Sequence, residues 1–246
     1  MRKIKGSGSY LRNQTTKNFA KAGVCLFLFT LTFFVSMLQL FLTFEFDIII
    51  GAGLFFSVIF LIGGYFFLNK YRTYNGGWQG EKKVIKLLKN TLNNDYYLIN
   101  EVNISKNADV DHIVLGPNGI FVIETKNWSG KITCNSDDWQ REDRKKYVNS
   151  PSRQVKKNTT KVKQKLEIHP DLRNHGIWVE SIVVFTNDNI SLYLNKPTVT
   201  VLKIAELPKH IINYKNYNPY TINQIEKIAK EIQKIKQKKV KRPIKK

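Results

Sequence analysis

Acidic side chains are scarce in this sequence. Across 246 residues, 19 Asp and Glu face 40 Lys and Arg, a formal net charge of +21. Such an excess does not suit a cationic partner. It suits polyanions, either nucleic acid or anionic membrane lipid. Cysteine is also rare. Cys25 lies in an apolar run and Cys134 in a strand-like stretch. The pair gives neither a disulfide framework nor a zinc spacing, which fits a reducing compartment for the polar part of the chain. The histidines, His112, His169, His175 and His210, are scattered. No glycine-rich loop ends in Gly-Lys-Ser/Thr, so a nucleoside triphosphatase is not indicated. No internal repeat is visible.

Charge is missing altogether from two long runs. Ala22 to Phe44 has none over 23 residues, and Ile48 to Leu68 none over 21. A helix of about 20 apolar residues crosses the hydrocarbon core of a bilayer. The first run is longer than the core of a secretory signal and shows no small-residue cleavage site. Only Glu45, Phe46 and Asp47 separate the runs, so a tight helical hairpin with an acidic tip is expected. Lys17 and Lys21 precede it, and Lys70 and Arg72 follow. The positive-inside rule then gives a two-helix protein of the cell membrane with both termini cytoplasmic. Gly51, Gly53, Gly63 and Gly64 suit close helix contact, within the hairpin or between copies in a homo-oligomer; the plainer alternative is that glycine is common in membrane spans.

The expected division is a basic, mostly disordered segment 1–21, a membrane hairpin 22–69, a juxtamembrane linker 70–77, a main domain 78–214, and a basic amphipathic helix and tail 215–246. From Lys70 onward, 34 basic residues face 17 acidic ones. The positive excess therefore lies mainly beyond the hairpin.

The main domain is organised around Asp111–Lys126. Two β-branched, apolar runs flank Gly116-Pro117-Asn118-Gly119, a strong β-hairpin signal. If the turn takes those residues, Leu115 faces Ile120, Ile113 faces Val122 and Asp111 faces Glu124. Alternation puts Glu124 and Lys126 on one face, with Asp111 directly across. Opposed carboxylates destabilise a strand pair, unless a cation lies between them or they share a proton. Two carboxylates and a lysine suit Mg²⁺, which takes carboxylate oxygen and water. They also suit phosphodiester hydrolysis, where the metal polarises phosphate and activates water. The plainer alternative is a hairpin with solvated ends. His112 points to the opposite face and reads as a core or second-layer histidine.

Around the hairpin, Glu81, Val84, Ile85 and Leu88 fall on one helical face. Glu81 there is either aimed at the core or simply a first-turn acid favoured by the helix dipole. Tyr96–Val102 reads as a strand, and 103–109 as a loop. Lys131–Cys134 reads as another strand, and Asn135–Lys146 as a loop or short hairpin around Trp139. Ser150-Pro151 marks a helix start, with Val155, Val162 and Leu166 as its apolar stripe and Gln154 beside it. Lys156, Lys157 and Lys161 on this helix are either a solvated face or a track for a phosphate backbone. Ile182–Phe185 has the composition of a strand buried on both faces. Val199–Ile204 is a further strand, and Glu206–Tyr214 a short helix broken by Pro208. Thr221 and Gln224 form a capping box for a helix with Ile222, Ile225, Ile228, Ile232 and Ile235 along one stripe. That helix would pack on the domain, pair with a partner or lie on a membrane surface.

Asp111, then Glu124-Thr125-Lys126 after an apolar hairpin, resembles the PD-(D/E)xK nuclease superfamily, and the surrounding residues resemble its NERD (nuclease-related domain) family. The matching features are Gly80-Glu81 opening a helix, Asp111-His112-Ile113-Val114, Gly119-Ile120-Phe121-Val122-Ile123-Glu124-Thr125-Lys126, Trp128-Ser129-Gly130, Asn149-Ser150-Pro151-Ser152-Arg153-Gln154 and the strand ending Val184-Phe185. They occur in the family's order between Trp78 and Leu207. Val110 stands where the superfamily's name has proline.

The resemblance implies an α/β fold, with a restriction-endonuclease-like mixed sheet flanked by helices, after two transmembrane helices. It implies cleavage of DNA or RNA with Mg²⁺ or Mn²⁺. Asp111 and Glu124 would be metal ligands, with the Thr125 carbonyl a further one. Lys126 would position or activate the attacking water, Glu81 would be an auxiliary acid, and Gln154 would orient a phosphate or Lys126. Two alternatives remain at this point: a non-catalytic, membrane-tethered nucleic-acid-binding module, and a membrane-surface scaffold whose charge binds lipid.

Overall fold

The computed structural model describes residues 1–4, 10–45, 47–105, 108–142, 149–174 and 176–240. In chain order the elements are β1 Arg2–Ile4, α1 Tyr10–Thr43, α2 Ile48–Thr91, β2 Tyr97–Ser105, β3 Ala108–Gly116, β4 Gly119–Lys126, β5 Gly130–Asn135, β6 Asp138–Arg141, α3 Pro151–Leu166, α4 Pro170–Asn174, β7 Val179–Phe185, β8 Ile190–Asn195, β9 Thr200–Lys203, α5 Leu207–Asn213 and α6 Ile222–Val240. They form two compact units, one of 9–78 and one of 1–8 with 79–246.

The first unit is the helical hairpin. Both helices are long and apolar enough to cross a membrane. Large apolar side chains such as Phe27, Phe34, Phe41, Leu42, Phe55 and Ile62 are exposed around them. The helices touch through small and hydroxylated residues. Thr32 Oγ1 and Ser57 Oγ lie 2.9 Å apart. A Cβ on Gly53 would collide with Ser36 Oγ, so glycine lets the helices approach here without turning that hydroxyl away. Gly63 and Gly64 face Cys25. At the tip, the Ile50 amide donates to Asp47 Oδ1 at 2.8 Å and caps α2. Phe46 and residues 5–9 lie outside the described residues.

Two expectations are corrected here. Residues 10–21 are not a disordered lead but the first turns of α1. Residues 70–77 are not a linker but part of α2. Both stretches abut a long apolar helix, and adding a residue to an existing helix is far cheaper than nucleating one. Gly76 and Gly77 cost about 1 kcal/mol each relative to alanine, which is too little to break it.

The second unit has the expected mixed α/β architecture. A six-stranded sheet runs β1-β2-β3-β4-β7-β9, and a three-stranded sheet runs β6-β5-β8. In the large sheet β2-β3-β4 is antiparallel, whereas β1 joins β2, and β7 and β9 follow β4, in parallel. The β3–β4 ladder has the expected register, with Leu115 opposite Ile120 and Ile113 opposite Val122. On one face of the sheet, Val84 and Leu88 of α2 and Leu207 and Ile211 of α5 pack against Val114, Phe121, Ile123 and Val184. On the other, Val155 and Val162 of α3 and Ile225, Ile228 and Ile232 of α6 meet Ile113, Val122 and Val183. Burying each isoleucine of α6 is worth roughly 1.5–3 kcal/mol, which is why this helix docks on its own domain. Ile235 and the basic tail 241–246 lie outside what is described for side chains and backbone respectively.

Smaller differences have local causes. The stretch 103–109 read as a loop belongs largely to β2 and β3, with 106–107 undescribed. Residues 138–141 complete a hairpin around the fully buried Trp139, and 143–148 are undescribed. Pro208 does not break α5 but sits at its first turn, where no amide bond is lost.

Candidate active site

The site lies at the C-terminal end of β4, between the ends of its neighbours. In the β3–β4 ladder the last pair is His112 with Ile123. The same register makes Asp111 and Glu124 the next opposed pair. Glu124 is only 2 % exposed. Its Oε1 accepts from Lys126 Nζ at 2.6 Å, and the same Nζ donates to Gln154 Oε1 at 3.2 Å. The Thr125 amide donates to Asp111 Oδ2 at 2.7 Å, which fixes that carboxylate across the strand pair.

Gln154 reaches Lys126 because the first turn of α3 is tightly held. Ser150 caps it through the Arg153 amide, and Pro151 opens it. The Trp139 indole donates to the buried Ser152 Oγ at 2.8 Å.

Glu81 arrives from α2. It is not at a helix start, as the first-turn reading and the resemblance both had it, because α2 begins at Ile48. No helix dipole therefore stabilises its charge. Gly80 explains its reach: a Cβ there would lie 2.7 Å from Thr186 Oγ1 and 3.1 Å from Asn127 Cβ. Only glycine lets α2 close on the ends of β4 and β7 at this point.

Burial and like charges dominate the electrostatics. Burial, with Asp111, Glu101 and Glu124 nearby, pushes the Glu81 carboxyl up to about 9. Burial, with Asp111, pushes Glu124 up to about 8 in spite of Lys126. Asp111 is raised by burial, against the pull of Lys126 and the Thr125 amide. Burial alone would lower the Lys126 ammonium, but Glu124 and Asp111 outweigh it and hold it above its ordinary value. Among the described residues, the acids of this pocket outnumber the positive charge that reaches them.

The donor set fits a divalent cation. Glu124 Oε2 is buried without a hydrogen-bond partner, and so is Thr125 Oγ1. A buried carboxylate oxygen left bare is costly, and a cation is a natural partner for it. Among the described residues no three His, Cys, Asp or Glu side chains converge closely enough to hold a metal unaided. Two carboxylates completed by a backbone carbonyl and water match the preference of Mg²⁺.

Three residues near the site escaped the sequence reading. Glu101 of β2 lies across from Asp111 on its other side: the ladder pairs Asn100 with His112 and Val102 with Val110. Arg141 stacks on Trp128, its Cζ 5.2 Å from the ring centroid, and Lys126 Nζ lies 6.0 Å from the same ring. Thr186 Oγ1 donates to Asn127 Oδ1 at 3.1 Å beneath Gly80. Pairing β2 with β3 on paper would have exposed Glu101; nothing in the local pattern signals the other two.

The expected lysine track is only partly open. Lys156 bonds Asp137 at 2.5 Å and Thr198 at 3.0 Å, and Lys161 bonds Ser105 at 2.7 Å. Lys157 is exposed. His112 is fully buried, with Nδ1 2.7 Å from Asn100 Oδ1, and burial pushes its imidazole down to about 3. It is a core residue, as expected. His175 is undescribed.

Residues 76–186 match the family model NERD, nuclease-related domain. An uncharacterized protein of Bacillus anthracis is 37% identical over 60 residues, which cover 23% of this chain and 28% of that protein. The match thus spans under a third of that relative. No solved structure matches the chain.

Proposed function

We propose, from the match of residues 76–186 to the nuclease-related domain family, that the protein is a membrane-anchored, divalent-metal-dependent nuclease that hydrolyses phosphodiester bonds of DNA or RNA at the cytoplasmic face. One observation carries this reading: an Asp111–Glu124–Lys126 cluster, half-buried at Asp111 and Lys126 and buried at Glu124, whose Glu124 Oε2 has no partner among the described residues.

Asp111 and Glu124 would hold Mg²⁺ or Mn²⁺, with the Thr125 carbonyl as a further ligand. The bound cation would supply Lewis-acid polarisation of the phosphate and an acidified water. The chain's own residues do the rest. The Thr125 amide keeps Asp111 facing Glu124. Lys126 places a positive charge where the phosphate gains negative charge, and orients the attacking water. Gln154 restricts the Lys126 ammonium to that position. Glu81, held protonated near neutral pH, can deliver a proton or accept one after the cation binds. Arg141 and Trp128 next to Lys126 offer a phosphate contact and a ring for a base.

The anchoring rests on the two apolar helices and on β1. Residues 2–4 pair with 97–99 of β2, so the stretch before α1 and the domain after α2 lie on one side of any membrane that the hairpin crosses. The basic flanks support the cytoplasm as that side.

The test is incubation of the full chain, in detergent or nanodiscs, with single- and double-stranded DNA and RNA. Each substrate is offered Mg²⁺, Mn²⁺ or a chelator. Cleavage that needs metal and is lost in Asp111→Asn is expected. Binding without cleavage under every condition would return the protein to a tethered nucleic-acid-binding module.

A further inference from the structure

The outer face of the small sheet carries an aromatic ring that the core does not use. Along β5, Ile132 and Cys134 are buried, while Lys131 and Thr133 face solvent. β8 lies parallel beside it, with Ser191 opposite Lys131 and Tyr193 opposite Thr133, so Tyr193 shares that outer face. Tyr193 is 54% exposed, and the Lys131 ammonium lies 5.0 Å from its ring centroid. Glu142 stands opposite Lys131 across the other ladder, its amide donating to the Lys131 carbonyl at 3.0 Å. The Lys131 side chain nevertheless lies over the ring.

This pair continues a line that begins in the candidate site. Lys126 Nζ and Arg141 Cζ lie 6.0 and 5.2 Å from the centroid of the Trp128 ring. Lys131 follows Trp128 by three residues, so their Cα atoms are within about 11 Å of each other. Arg141 pairs with Ile132, the neighbour of Lys131. Two rings are thus interleaved with three cations between the site and the small sheet. That is what a single strand needs: unpaired bases stack on aromatic faces while lysine and arginine track the phosphates. A duplex keeps its bases inside its own stack. Sheet propensity alone would accept valine or threonine at this exposed position as readily as tyrosine.

We propose that Lys131 and Tyr193 form a binding platform for single-stranded nucleic acid, with a base stacked on Tyr193 and a phosphate on Lys131, which leads an unpaired strand towards Lys126. The platform rests on the nuclease reading above for what happens to that strand, and deepens it by naming the substrate as unpaired.

The test is binding by the full chain in detergent and chelator, where metal-dependent cleavage does not intervene. Labelled oligothymidylate, oligouridylate and a duplex of the same length are titrated in turn. Tyr193→Ala should weaken single-strand binding about fivefold to a hundredfold and change duplex binding far less. Tyr193→Phe keeps the ring and should bind like the parent. Lys131→Ala should lower the salt slope for single strands by about 0.7. A loss on either oligonucleotide supports the platform, and the one more affected identifies the sugar. A parent that binds no single strand, a Tyr193→Ala variant that binds it as tightly as the parent, or an equal loss on strand and duplex would overturn the platform. None of these touches the nuclease reading, which stands or falls on cleavage of the same oligonucleotides and duplex once Mg²⁺ or Mn²⁺ is supplied. If Tyr193→Ala fails to fold in a thermal melt, Tyr193→Leu keeps apolar bulk without an aromatic face and gives the same comparison.

Discussion

Raising the pH should destabilise the metal-free protein over a range in which most proteins are indifferent. Glu124 is held at about 8 and Glu81 at about 9 when folded, against the ordinary 4.5 of the unfolded chain. Between pH 5 and 8 the folded state therefore keeps protons that the unfolded state has lost. With more protons bound in the native state, stability falls as pH rises. The contribution of each group is fully present below pH 4.5 and is lost as pH rises through the folded value. His112, held near 3, acts in the opposite sense, but only below its unfolded value near 6.5. The clean window is thus pH 7 to 8. Counting the fully buried Glu124 alone, which is half deprotonated by pH 8, the loss across this window is about 1 kcal/mol. For a chain of this size that is a fall in melting temperature of about 2–4 °C. Glu81 and Asp111 add to it in the same direction. Melts of the full chain in detergent and chelator, at several pH values, measure it directly. Glu124→Gln should flatten the slope. Added Mn²⁺ should stabilise more at pH 8 than at pH 7, because it binds the ionised carboxylates. A flat or rising chelator profile between pH 7 and 8 would refute the account of the site as a charge-starved acidic pocket.

Other outcomes follow from the same geometry. Lys126→Ala breaks a buried ion pair and leaves Glu124 without its cation; at pH 9 it should cost about 3–5 kcal/mol in a chelator melt, and less at pH 6, where Glu124 is protonated. Gly80→Ala forces a Cβ against Thr186 Oγ1 and should cost about 1–3 kcal/mol, while Gly77→Ala in the same helix, with 3.5 Å to Leu11 Cδ1, should be neutral or stabilising in the same melt. Lys157→Glu should flatten the salt dependence of nucleic-acid binding, whereas Lys156→Glu should show mainly as lost stability, since it breaks the pair with Asp137.

Much of the centre was legible because a strand's two-residue period leaves little freedom. Once Gly116-Pro117-Asn118-Gly119 is taken as the turn, the faces of Asp111, Glu124 and Lys126 follow. The α3 cap was equally plain, since Ser150-Pro151 has one favourable use. What escaped was non-local. No short-range pattern says that β2 lies beside β3, so Glu101 looked like one polar residue in an ordinary strand. Its positive φ of +50° is likewise invisible, because glutamate does not advertise it as glycine would. Composition misled at 70–77, where two glycines and several polar residues look like a linker but lie inside a helix already paid for by its neighbours. β8 was not anticipated, because Ile190–Asn195 is mostly exposed and lacks a continuous apolar face.

The pairing of β1 with β2 changes how the gene order should be pictured. Residues 1–4 belong to the same compact unit as everything after 79, and 9–78 form the other. The helical hairpin is therefore an insertion near the start of the domain rather than a prefix to it. During synthesis the first strand leaves the ribosome more than ninety residues before its partner, Tyr97–Ile99. It can only join the sheet after both apolar helices have been made, a closure of high sequence separation and so a late folding step. An N-terminal fusion would meet the same join, because the Met1 amine donates to Asn94 Oδ1 at 2.9 Å and Arg2 to Glu226 Oε1 at 2.8 Å. Truncating the chain to a fragment from Trp78 onward removes an edge strand along with the helical hairpin, and exposes the β2 edge to other chains.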